Sequence, residues 1–175
     1  MNAKEVNEEI FYSNDLITKV NRADIDFLKA KAAGNQRKRV RLCSHPDVDD
    51  SLHEMLIVHA QGAYVRPHKH MKKSESFHVI EGRLKVVIFT ETGDVEQVIP
   101  MGDFSSPGYF YYRLSKPLFH TVIPLSEDVV FHETTNGPFR REETIFAEWS
   151  PAEDDVAEQE KFLKNVTKHE LFTKD

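Results

Sequence analysis

Two histidines, His68 and His70, stand two residues apart in the stretch Gly62-Ala-Tyr-Val-Arg-Pro-His68-Lys-His70, and Glu75 follows after the polar link Lys72-Lys73-Ser74. On an extended strand, side chains two apart leave the same face, so both imidazoles point one way. If the link turns the chain back on itself, the Glu75 carboxylate meets them at a single point. Neutral imidazole nitrogens and a carboxylate oxygen suit one divalent transition metal, such as Fe, Mn, Ni, Zn or Cu. Gly62 and Gly82 flank the run and permit tight turns or positive φ where strands enter and leave it. Pro67 fixes φ just before the first histidine, which a strand's first residue tolerates.

Elements must deliver these side chains, and the pattern around them is one of short strands. From Arg37 the periodicity is two: Arg37, Arg39 and Arg41 alternate with Lys38, Val40 and Leu42, and the first set continues in phase to Cys43 and His45. That arginine row either holds an anionic ligand by bidentate bonds or forms a solvated, charge-guarded face. His45 is a candidate pocket residue, and Cys43 is expected to be a buried structural thiol. Strands are also expected over Glu54–Ala60, Phe77–Glu81, Arg83–Phe89 and Val95–Ile99, with a hairpin turn at Glu91-Thr-Gly93-Asp94. Phe104 to Phe119 is irregular and holds the aromatic cluster Tyr109-Phe-Tyr-Tyr112, which reads as core or dimer surface. Val129–Thr134 and Thr144–Trp149 are expected to form a hairpin across Asn136-Gly137-Pro138.

Helices are expected at the two ends. Asn21-Arg-Ala-Asp24 resembles a capping box, Ile25, Leu28 and Ala32 follow at helical spacing, and Gly34 fits a C′ stop. Ser150-Pro-Ala-Glu153 reads as a second capping box with Pro at the first helical position, predicting a short helix over 151–165. Residues after Thr167 are expected to fray. The divisions are an N-terminal extension with one helix (1–36), a β-barrel (37–150), and a C-terminal helix and tail (151–175), all in one structural domain. Many short strands without βαβ alternation predict an all-β sandwich or barrel.

The spacing Gly62, five residues, His68-x-His70, four residues, Glu75, six residues, Gly82 resembles the first cupin motif at every position. Further stretches resemble the WbuC-type cupin-fold metalloproteins: Arg39-Val-Arg41-Leu-Cys-Ser-His45, His53-Glu-Met55, Tyr64 to His70, Glu75 to Gly82, Gly137-Pro138-Phe139 and Phe146-Ala-Glu-Trp149-Ser-Pro151. This resemblance runs from about residue 25 to residue 155. It implies a double-stranded β-helix, the cupin jelly roll, with a metal site. It also implies a third histidine from a second motif, Pro-x-Gly-x-x-His. The corresponding stretch is Ser115-Lys-Pro117-Leu-Phe-His120, where the histidine alone matches, so His120 is expected as the fourth ligand. The rivals are His78, out of phase with Glu75 in a regular strand, and His132 on a later strand.

Three histidines and one glutamate leave two positions of a six-coordinate metal open to water or substrate. Expected functions are a metal-dependent isomerase or dioxygenase acting on a small oxygen-rich molecule such as a sugar derivative, or a non-catalytic cupin that binds a small ligand at the metal. Tyr64, Arg41, His45 and Tyr112 are the candidate substrate-binding residues. Tyr64, Glu81, Tyr112 and His45 are the acid–base candidates.

Composition bounds the partners. The chain has 175 residues, a net charge of −6 and a pI near 5.8, which argues against general nucleic-acid binding. No apolar run approaches the ~20 residues of a membrane span, and the first residues lack the apolar core of a signal peptide. One cysteine excludes an internal disulfide and fits a reducing compartment. A cytoplasmic homodimer is expected.

Overall fold

The structure, a computed structural model, describes residues 1–168. Two sheets face one another across the main core. The first has seven strands in the order β1 (Ala3–Asn7), β2 (Ile10–Ser13), β3 (Arg39–Cys43), β4 (Leu52–Ala60), β11 (Asp128–Asn136), β6 (Glu75–Glu81) and β9 (Tyr111–Leu114). The second has five, in the order β12 (Thr144–Phe146), β5 (His68–His70), β10 (Phe119–Pro124), β7 (Arg83–Phe89) and β8 (Val95–Gly102). From β4 to β7 the chain passes to the opposite sheet at every step, which gives the central orders β4-β11-β6-β9 and β5-β10-β7-β8. Such alternation is the interleaved double Greek key of a jelly roll. The expected double-stranded β-helix is therefore the architecture. One detail is corrected: the sheets stack as a sandwich and do not close into a single hydrogen-bonded barrel.

The inner layer follows from period-two patterning. Met55 and Ile57 from β4, Phe77 and Val79 from β6, Val129 and Phe131 from β11, and Leu84, Val86 and Ile88 from β7 bury themselves between the sheets. The outer faces are covered as well, which explains strands apolar on both sides. Helix α1 (Arg22–Gly34) lays Leu28 and Ala32 on Val40, Leu42, Leu56, Val58 and Val130 of the seven-stranded sheet. Helix α2 (Val156–Thr167) brings Val166, with Phe162 and Leu163, to Val87, Phe89, Val98, Phe119 and Ile123 of the other sheet.

The capping box of α1 forms as expected. Asn21 Oδ1 accepts from Asp24 N at 3.2 Å, and Asp24 Oδ2 accepts from Asn21 N at 2.9 Å. Its other end differs. Gly34 remains helical, and Asn35 closes the last turn by donating through Nδ2 to Lys31 O at 3.1 Å and Arg39 O at 2.8 Å.

Helix α2 also starts later than predicted, at Val156, capped by Asp155 Oδ1, which accepts from Glu158 N at 3.1 Å. Ser150 is occupied elsewhere: its hydroxyl donates to Ala147 O at 2.7 Å and accepts from Arg66 Nε at 3.1 Å. The C-terminal end is closed by buried Lys85, whose Nζ donates to Val166 O and Thr167 O, each at 3.1 Å. The expected tail beyond Lys168 lies outside the described residues.

Two further corrections concern strand partners. The predicted hairpin across Gly137 does not form, because β11 lies in the seven-stranded sheet whereas β12 pairs with β5 in the other. The arginine row is also interrupted, since Lys38 sits at φ 53°, and Arg37 and Arg39 pair with Glu9 and Glu153. Arg41 alone makes no ion pair among the described residues and stays exposed.

Candidate metal centre

Three of the four predicted ligands come from one sheet. His68 on β5 and His120 on β10 are direct cross-strand partners, and His70 lies one pleat further along β5, opposite Thr144 of β12. Their ring centroids are 4.5 Å (His68–His120), 4.9 Å (His68–His70) and 5.9 Å (His70–His120) apart. Glu75 reaches them from the opposite sheet, as the first residue of β6. The polar link does not form a hairpin; it carries the chain across the gap between sheets. It is pinned there by Ser74, whose N and Oγ both donate to Asn136 Oδ1 at 3.0 Å, while Thr135 Oγ1 donates to Ser74 O at 3.0 Å. Gly82, at φ 82°, turns β6 into β7 where a Cβ would lie 2.3 Å from Asp128 O, so the motif's last glycine is a steric requirement.

The hydrogen bonds around the rings aim their lone pairs. His68 Nδ1 lies 2.9 Å from Arg66 O, and His120 Nδ1 lies 2.9 Å from Leu118 O. A carbonyl can only accept, so both rings carry their proton on Nδ1 and turn Nε2 inward. His70 Nδ1 meets Thr144 Oγ1 at 3.2 Å. Nε2 of His120 approaches Glu75 Oε1 at 2.9 Å, and Nε2 of His70 approaches Glu75 Oε2 at 3.4 Å. One ligand atom from each of the four residues falls within 4.8 Å of the others.

A divalent cation fits this arrangement. Glu75 Oε1 and His120 Nε2 are buried and, despite their 2.9 Å approach, are not aligned as a hydrogen bond. Converging acceptors with nothing donating to them leave a place for a positive charge. Burial raises the Glu75 carboxyl, but the positive charge that the neighbouring imidazoles can carry, His120's first, outweighs it and holds it well below the usual carboxylate range. Burial also lowers His68, with the His120 and His70 rings adding to the effect, to about 3, so it stays neutral as a ligand must.

The other candidates separate. Tyr112 is buried beside Phe77, their rings 5.5 Å apart, and its hydroxyl has no hydrogen-bond partner. Burial and the Glu75 charge both push that phenol up, which places it near the centre. His45 stacks on His53 at 4.0 Å, with Tyr12 edge-on at 5.5 Å, and its Nδ1 sits 3.2 Å from Glu54 N and Glu54 O. Tyr64 joins the packing of α2, its hydroxyl donating to Pro151 O at 2.8 Å and its ring against Phe162 at 6.0 Å. Glu81 is tied to Arg22 and Lys29 on the outer face. The rival ligands His78, exposed, and His132, beside Glu54, take no part in the cluster.

Sequence reasoning weighed His132 and passed over its neighbour Glu133. The available clue was phase: Val129, Phe131 and Glu133 share one face of β11, and the first two are core. Desolvation between the sheets, then the charge of Glu75, pushes the Glu133 carboxyl up.

Comparisons with known proteins add the following. Residues 20–101 match a family model described as a domain of unknown function, DUF6016. No curated protein matches. Among solved structures, the chain is similar to oxalate decarboxylase OxdC of Bacillus subtilis, at 22% identity and a TM-score of 0.45 over 57% of this chain and 25% of that one. It is also similar to the Cnp3 cupin domain of Schizosaccharomyces pombe, at 13% identity and a TM-score of 0.45 over 58% and 66%. A third is CapF, at 19% identity and a TM-score of 0.47 over 62% and 34%. The chain thus spans less than two thirds of the length of each. No helix among the described residues is long and apolar enough to cross a membrane.

Proposed function

We propose that this protein is a divalent-metal-binding cupin whose centre acts on a small oxygen-rich molecule. The observation that carries this reading is the convergence of His68, His70, Glu75 and His120 within 4.8 Å, with two of their polar atoms buried and unsatisfied. These four side chains would hold the metal. When bound, it supplies Lewis-acid chemistry at the positions they leave open, or oxygen chemistry if it is iron. The protein fixes the imidazole tautomers through Arg66 O and Leu118 O and holds the single carboxylate ionised.

A second reading is ligand binding without turnover. It is favoured by one fact: Tyr64 and Glu81, two of the four acid–base candidates, are held in contacts away from the centre. The metal-loaded protein, incubated with hydroxy acids, hydroxy ketones and aldose or ketose sugars, distinguishes the two by NMR and oxygen consumption. Conversion that disappears in Glu75→Gln supports the enzyme, saturable binding with no product supports the binding module, and neither result with any of these compounds overturns the proposal.

A further inference from the structure

The inward face of the seven-stranded sheet carries a polar pair that neither packing nor metal binding explains. Strand β11 lies between β4 and β6, and its register sets Glu133 opposite Met55 on one side and Phe77 on the other. Thr135, two residues on, is opposite Glu75. Glu133 is therefore the diagonal neighbour of Glu75, roughly 7–8 Å away across the strands and one row further along the sheet. Phe77 in turn faces Tyr112 of β9. A single cross-strand row reads Met55, Glu133, Phe77, Tyr112, with the two polar groups on either side of the phenylalanine.

Among the described residues the half-buried Glu133 has no ion pair, and the buried Tyr112 hydroxyl has no hydrogen-bond partner. A buried polar group is nearly always paired, so the Tyr112 hydroxyl lacks a partner, and the half-buried Glu133 beside it is open to a molecule that enters next to the centre. Glu133 is not a fifth ligand, because the ligand cluster comprises only the four residues already named.

We propose that Glu133 is a substrate-contacting residue: its carboxyl group hydrogen-bonds a hydroxyl of a small ligand held at the His68–His70–Glu75–His120 centre, and the Tyr112 hydroxyl donates to an adjacent oxygen of the same ligand. The inference rests on the metal-centre reading and names its ligand class. A hydroxyl pairs with a carboxyl group in either protonation state, so it suits Glu133 whichever form the carboxyl takes. The ligand is a hydroxy ketone, a hydroxy acid or an enediol, with its hydroxyl facing Glu133.

The test uses the Mn(II)-loaded protein and two probes that differ only by a hydroxyl, lactate and propionate, with binding read from the relaxation of their protons by Mn(II). Wild type binds lactate more tightly than propionate. Glu133→Leu weakens lactate about tenfold and leaves propionate affinity and Mn(II) content unchanged, while Glu133→Gln, whose amide still pairs with a hydroxyl, keeps most of the preference. Should Glu133→Leu not load Mn(II), Glu133→Ala takes its place. Wild-type lactate affinity in the apolar variant, or no preference in wild type, overturns the proposal alone. A wild-type protein that takes up no Mn(II) or other divalent transition metal removes the metal-centre reading, and this inference with it.

Discussion

Metal-free protein given a saturating divalent transition metal unfolds at a midpoint roughly 10 °C higher, and His120→Ala abolishes the rise. The magnitude follows from linkage. A ligand present at a thousand times its dissociation constant, and bound only by the native state, adds about 4 kcal/mol. For a domain of this size each kcal/mol is worth about 2–4 °C. The native site is preformed by contacts from three separate places: Arg66 O and Leu118 O orient two rings, and Asn136 pins the link that delivers Glu75. The unfolded chain holds only His68, His70 and Glu75 near one another in sequence, and His120 is brought in by pairing of β10 with β5. Removing His120 leaves a buried Glu75 with one fewer counter-group, so metal affinity and its stabilisation fall together. Differential scanning fluorimetry across Mn, Fe, Ni, Zn and Cu measures the shift. An equal shift in His120→Ala would place the bound metal elsewhere.

The second large effect is on acid stability and belongs to His59, which lies in the core away from the ligand cluster. Its ring packs edge-on against Phe131 at 5.2 Å, and its Nδ1 is buried without a hydrogen bond. Burial pushes it down from 6.5 to about 4. Between those values the unfolded chain takes up a proton that the native protein refuses. The unfolded state then binds more protons, so stability is complete above pH 6.5 and falls as the pH drops toward 4, by up to about 3 kcal/mol. In metal-free protein, urea midpoints measured between pH 7 and pH 4 should decline less steeply in His59→Leu than in wild type. Parallel declines would show that His59 is protonated as readily in the native state as in the unfolded one.

How much of this was legible in the residues differs by region. His68, His70 and Glu75 were readable because a strand's period of two fixes which side chains share a face, and the bracketing glycines take the expected positive φ, 84° at Gly62 and 82° at Gly82. The α1 capping box was readable because all its atoms lie within four residues. Where reading failed, the deciding contact came from far along the chain. Ser150 looks like a helix cap locally, yet Arg66, 84 residues away, takes its hydroxyl. Arg37 and Arg39 look free for an anion until Glu9 and Glu153 arrive from other elements. Glu133 was missed for a related reason: its importance lies in the register of β11 against β6, and register is a tertiary property.

Metal stoichiometry tests the central claim most directly. Wild-type protein, reconstituted and freed of loose ions, should hold about one divalent transition metal per chain by elemental analysis, and His70→Ala and Glu75→Gln should each lose nearly all of it while remaining folded. A wild-type chain that retains no metal after reconstitution, or variants that retain as much as wild type, would contradict the account.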